Sequence, residues 1–207
     1  EAIKIIQDVC HVHKLGGFQI CNWVSNSEKI NASIDDNLKS NIVKNEFSLN
    51  SSIERVLGVW WNFAEDVFVF KLKFEKIDQQ IFLEERRPTK RDILKVVMSI
   101  FDPLGLISNF IIIGKILMQN IWENGLAWDD AISDSQYVIW KNWCQNFNSL
   151  SNLKIPRMLT SFNKADSNIQ LHLFCDASQY AYAVVAYLRF DNKCKIECSL
   201  INSKARV

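Results

Sequence analysis

The sequence predicts an α+β protein in which strand-forming stretches flank a run of helices. Three observations carry this. Apolar residues alternate through "RVLGVWWNFAEDVFVFKLKF" (55–74), the spacing turns helical from "TKRDILKVVMSIF" onward, and apolar ribbons return in "LHLFCDASQYAYAVVAYLRF" (171–190). The order is mixed α and β, then helices, then a new antiparallel sheet, which suits two partial domains joined by a helical bridge.

Ala2, Ile5, Ile6, Val9 and His13 mark a first helix that Gly16-Gly17 ends before "FQICNW" resumes as a strand-like run. Residues 25–52 hold 13 Ser or Asn in 28 positions and read as a connector. A hairpin follows, Val56 to Trp61 and Val67 to Phe74, turning at "NFAED". Thr89 then caps a helix whose face is Ile93, Val96, Val97, Ile100 and Phe101, with Asp92 completing a capping box. "FDPLG" stops it, since Pro103 cannot continue a helix and Gly105 suits a turn. A second helix runs from about Asn109 to Glu123. A third starts at "SDSQ", whose Ser133 and Gln136 fit another capping box, and buries Trp140, Trp143, Cys144 and Phe147. Three strands close the series at about 169–176, 181–190 and 194–201.

Composition excludes several classes. With 48% hydrophobic and 12% aromatic residues, the 207-residue chain can form a core and is no disordered tail. Its net charge of +1 carries no argument for a nucleic-acid partner, which must rest on local clusters. Six cysteines form no CxxC pair. Cys194 and Cys198 stand roughly 13 Å apart along a strand, too far for a disulfide, so free thiols in a reducing, intracellular setting are expected. No signal-peptide pattern opens the chain, and "ISNFIIIGKILMQNIW" has Asn, Lys and Gln within any membrane-length window. No Gly-rich phosphate loop, nucleophile elbow or Asp-Thr/Ser-Gly turn is present.

Asp176 is the candidate for chemistry. It shares a strand face with His172 and Phe174 and emerges at the strand's end. A desolvated carboxylate needs a turn, a base or a cation, and the residues alone leave two readings open. "DAS" forms an Asx turn, or Asp176 is one hard oxygen ligand of a divalent ion. Two-metal chemistry needs several converging carboxylates, and the only acids after it are Asp191 and Glu197, with no evident reason to converge. A basic cluster (Lys71, Lys73, Lys76, Arg86, Arg87, Lys90, Arg91, Lys95) sets eight bases against five acids over 71–95, a local excess of three. It reads either as a phosphate-contacting surface or as a solvated helix start laced with salt bridges. The HxH pair His11/His13 lacks an evident third ligand. The tryptophans, at helical or strand spacing, read as core before they read as base-stacking platforms.

Taken together, "GGFQICNWVSN", "RVLGVWWNFAEDVFVF", "TKRDILKVVMSIFDPLGLIS", "WENGLAWDD", "LHLFCDAS" and "LINSKARV" resemble, in order, the Pol polyprotein of BEL/Pao-type LTR retrotransposons, over the segment called the Pao retrotransposon peptidase. The resemblance implies that 1–80 close a reverse-transcriptase palm with a primer-grip-like hairpin, 86–150 form a helical thumb and connection, and 165–207 open an RNase H-like domain. It implies nucleic-acid contacts by Lys90, Arg91, Lys95, Leu57, Gly58 and Trp60, and makes Asp176 the first metal-binding aspartate of an RNase H site using Mg2+. The implied partners are an RNA·DNA hybrid or primer–template duplex and the rest of the polyprotein, with no membrane. The polymerase aspartates are expected before Glu1 and the remaining RNase H acids after Val207, so the chain alone is expected to be inactive. Asn22 and Asn109 depart from the family's usual basic residue and proline. A noncatalytic domesticated binding module and an aspartic peptidase are the competing readings. The sheet, three strands with an open edge, is expected to be poorly ordered or aggregation-prone alone.

Overall fold

The computed structural model describes residues 1–40, 52–56, 58–162 and 167–207. Contacts divide the chain into two units, Glu1–Phe68 and Val69–Val207. The helices from Lys90 onward and the last three strands share the second unit.

In the first unit, α1 (Ala2–Leu15) ends at the glycine pair as its spacing predicts. The Gly16 and Gly17 amides donate to the His13 and Lys14 carbonyls, and Gly17 takes φ +79°. None of its residues is buried. "FQICNW" forms no strand; Trp23 makes only an isolated bridge to Lys39. A short α2 (Glu28–Ala32) precedes β1 (Ile53–Val56), which pairs antiparallel with β2 (Val59–Asn62). The expected strand from Val56 to Trp61 is thus broken by a turn in which Gly58 takes φ +90°, a conformation only glycine adopts freely. Leu57 lies outside the described residues. The turn at "NFAED" is present: Asn62 Oδ1 accepts the Ala64 and Glu65 amides at 3.1 and 3.3 Å, and Trp61 Nε1 donates to Asp66. It leads into β3 (Val67–Val69), far shorter than the expected run to Phe74. Phe70, Leu72 and Phe74 keep the alternation but spend it on the core of the second unit.

That core is built by four helices. α3 (Lys90–Ser99) carries the expected capping box, Thr89 and Asp92 each accepting the other's backbone amide, and buries Ile93, Val96 and Val97. Phe101, expected on the same face, is exposed, because the helix ends at Ser99 and Ile100 is extended. α4 (Ser108–Glu123) and α5 (Asp134–Gln145) follow, the latter with its Ser133–Gln136 capping box, and α6 (Phe147–Ser151) completes the set. Trp140, Trp143 and Phe147 fill the centre as expected, while Cys144 is only partly buried. Trp143 lies so close to α4 that a Cβ on Gly114 would stand 2.5 Å from its ring, and its Nε1 donates to the Phe110 carbonyl at 2.9 Å. Burial pushes the Cys144 thiol up to about 12, and all six cysteines are free, as expected.

After β4 (Lys154–Pro156), three strands form an antiparallel meander in the order β5 (Asn168–Ala177), β6 (Tyr182–Asp191), β7 (Ile196–Arg206). The strands appear where alternation placed them, but β7 runs five residues beyond the expected end at 201. A bulge at Ala186/Tyr187 shifts its register against β6.

Candidate functional site

The site begins with the "FDPLG" turn. Asp102 accepts the amides of Leu106 and Ile107 at 2.8 and 2.9 Å, satisfying donors that open α4. Burial raises its carboxyl above the ordinary range, against those amides, which pull it down. Gly105 takes φ +70°, and a Cβ there would stand 1.8 Å from the Ser203 carbonyl oxygen. The turn therefore lies directly on β7. The Ser203 amide donates to the Leu104 carbonyl at 2.9 Å, its hydroxyl bonds the Gly105 carbonyl, and it meets the Ser108 hydroxyl at 2.5 Å. Two α4 turns further, Lys115 Nζ reaches the Ala205 carbonyl. A local turn motif thus docks the sheet onto the helices.

Asp176 stands at the same end of the sheet, on its outer strand β5. It is in register with Ala183, which faces Ala205 across β7, so small side chains flank it on its own face. Those alanines leave room for a cavity of about 560 Å³, walled by Leu106, Ser108, Asn109 and Ile112 on one side and by Asp176, Ala183 and Tyr187 on the other. A second cleft of about 690 Å³ opens beyond the strand end, and Asp176 lines both. One carboxylate oxygen accepts the Ala177 amide at 2.9 Å, one residue on instead of the two that an Asx turn spans. No salt bridge among the described residues engages it. Both readings of Asp176 thus have a structural counterpart, a local amide contact and a position at a cavity rim.

The same residues are tested as a Mg2+ site by their donors. Asp176 is the only carboxylate lining either cleft, and among the described residues no group of three His, Cys, Asp or Glu could hold a metal ion. Asp191 and Glu197 do not join it. Asp191 pairs with Arg189 at 2.9 Å, and Glu197 accepts from Thr160, from the Ser161 amide and hydroxyl, and from Lys195. The Ser161 bonds lead in holding the Glu197 carboxyl down at about 2. Magnesium, which needs several hard oxygen ligands, is not accommodated by these residues alone.

The basic cluster is largely spent on internal contacts. Lys90 is 4% exposed; its ammonium donates to the Leu126 carbonyl at 2.8 Å and lies 3.4 Å from the Trp122 ring centroid. This corrects its expected role, because a phosphate could reach it only by opening that packing. Arg91 forms a bidentate pair with Asp129 at 2.8 and 3.1 Å, Arg86 bonds Asp78 and Asp92, and Arg87 pairs with Asp134 at 2.7 Å. Lys95 is exposed on α3. Burial disfavours the Asp92 carboxylate, yet the Thr89 amide and Arg86 outweigh it and hold that carboxyl below the ordinary range. In the first unit, the Arg55 guanidinium covers the half-buried Trp60 ring at 5.6 Å, and Gly58 forms the hairpin turn. His13 of the HxH pair bonds the Val9 carbonyl of its own helix.

Missed from the sequence was the Ser203 anchor, since nothing local in "NSKA" marks a serine that docks on a turn 98 residues away. An α+β unit in which a three-stranded antiparallel sheet, with an aspartate at a strand end, is joined to a helical layer is the class these features define. The chain matches the model of the Pao retrotransposon-like RNaseH-like domain over residues 89–207, more than half its length, and belongs to that family. The match begins at the Thr89 cap and takes in α3–α6 as well as the three strands. No curated protein and no solved structure matches the chain. Among the described residues, no helix is long and apolar enough to cross a membrane.

Proposed function

We propose that this chain is a segment of a BEL/Pao-type retrotransposon Pol polyprotein, and that Asp176 contributes one carboxylate to a divalent-metal site cleaving RNA in RNA·DNA hybrids. The observation that carries this is Asp176 at the rim of two clefts, flanked by alanines and engaged by no cation among the described residues. A carboxylate serving only its own loop needs no such opening. The other ligands come from elsewhere in the polyprotein, because Asp176 is the only acid lining the two clefts. In this reading α3–α6 serve as thumb and connection, with Arg91 and Lys95 contacting a duplex backbone, and the β1–β3 hairpins with Gly58 and Trp60 position a primer.

The test is hybrid cleavage in Mg2+. The 207-residue chain is expected to show no turnover, whereas the Pol polyprotein cleaves the RNA strand and loses that activity, by about a thousandfold or more, on Asp176→Asn. Cleavage undiminished by that substitution sinks the assignment. A noncatalytic binding module is the second reading, favoured by the single carboxylate; it predicts that hybrid binding persists while the polyprotein never cleaves.

A further inference from the structure

We infer that Lys204 and Arg206 of β7 form a phosphate-binding strip that receives the backbone of a nucleic-acid strand at the sheet end beside Asp176. The choice of nucleic acid rests on the proposed function; the strip itself rests on separate residues.

The two bases are two positions apart on β7 and so project from one face, about 7 Å from each other along the strand. The register puts Val184 beside Lys204 and Tyr182 beside Arg206, with Cys175 next across on β5. These side chains line the second cleft, on the sheet face opposite the "FDPLG" dock. Both bases are exposed, and among the described residues no hydrogen bond, ion pair or ring contact engages either side chain. That separates them from Arg86, Arg87, Lys90 and Arg91, whose charges must first leave a partner. The one acid at the cleft is Asp176, leaving a net charge of +1 there.

An exposed basic pair alone describes many surfaces. Here it borders a cleft that also presents the exposed Tyr182 ring, which can stack on a base while the two cations meet phosphates on either side. That combination of stacking face and flanking cations suits a nucleic-acid strand better than an acidic peptide, which offers charge and no flat ring. Asp176 stands at the same sheet end but on the face of Ala183 and Ala205, so its charge bears on the strip only around the strand end.

The experiment is fluorescence anisotropy of a labelled RNA·DNA hybrid with the full 207-residue chain, in EDTA, from about 50 to about 200 mM KCl. The doubly substituted Lys204→Gln/Arg206→Gln chain should lower the slope of log K against log salt by about two, one for each lost phosphate contact. Tyr182→Ala should weaken binding by about tenfold and leave the slope alone. Lys141→Gln, which breaks only a surface pair with Glu84, should change neither. Circular dichroism checks that each variant stays folded. An unchanged slope in the double variant, or no hybrid binding by the native chain, overturns the strip; so does equal affinity for a poly-glutamate probe. Because EDTA removes any metal, this result is independent of the cleavage test: the strip can fail while Asp176→Asn still abolishes cleavage, and the reverse.

Discussion

Within the second unit, the helices and the sheet solve the problem of burial differently. The helical layer owns a dry interior in which Ile93, Val96, Ile121, Trp140 and Trp143 are closed off from solvent. The sheet buries Phe190 and Ala205, and leaves Leu171, Leu173 and Phe174 of β5 more than half exposed. The helices are stabilised by their own packing, whereas the sheet is held mainly at β7, through Ser203, and its outer strand hangs from that attachment. The strand carrying the candidate carboxylate is therefore the least supported part of its unit.

The largest effect belongs to the helical layer. Trp143→Ala removes a ring that touches Phe110, Phe147 and Trp140, takes a second donor from the Phe110 carbonyl and opens a cavity against Gly114. A loss of about 4 kcal/mol is expected in urea denaturation. A loss under about 1 kcal/mol would mean that the helical layer has no such core.

Gly105→Ala comes next and aims at the attachment. The added methyl meets the Ser203 carbonyl and the residue keeps an unfavourable positive φ, together costing about 3 kcal/mol. Amide exchange should show where: β7 loses protection while α3–α5 keep theirs. Uniform loss across both layers would show that they fold as one, and the contrast would have to be given up.

Lys90→Ala tests a contact inside the helical layer that resembles neither ordinary core nor ordinary surface. It should cost about 2 kcal/mol, because the Leu126 carbonyl loses its donor and the Trp122 ring its cation. Wild-type stability for the alanine variant would return Lys90 to the pool of phosphate contacts.

Lys90 also marks where the sequence stopped being legible. Both capping boxes were readable because a cap is settled within four residues, and Trp140, Trp143 and Phe147 because helical spacing exposes a buried face directly. The partner of Lys90 lies 36 residues away, and nothing local distinguishes a lysine destined for a tryptophan from one destined for solvent. Strand ends suffer in the same way. "FQICNW" has the composition of a strand but finds no ladder, and β7 outruns its apolar pattern because Tyr182–Ala186 and the Gly105 turn supply partners. The aspartate at the strand end was visible; the cavity beneath it was not, since it depends on alanines contributed by three strands.

Acid sharpens the comparison at the sheet's other end. Glu197 pins residues 160 and 161 to β7, with its carboxyl held at about 2 against an ordinary 4.5. A depressed carboxyl contributes stability in full above its unfolded value and loses it as pH falls toward the folded one. Between about pH 4.5 and 2, exchange at residues 160–162 should therefore rise before that of α3–α5. Glu197→Gln should abolish the pH dependence in that window.

The smallest effect is the most informative about β5. Leu173 is 64% exposed, so Leu173→Ser gives up little burial and should shift the denaturation free energy by less than about 0.5 kcal/mol. Were the same substitution to cost more than about 1.5 kcal/mol, that face would have to be covered in solution. Sedimentation velocity then separates the causes, since coverage by another copy of the chain falls away on dilution and takes the added cost with it. A small, concentration-independent change leaves β5 as the geometry has it, a strand whose apolar residues meet water while its neighbour β7 carries the attachment.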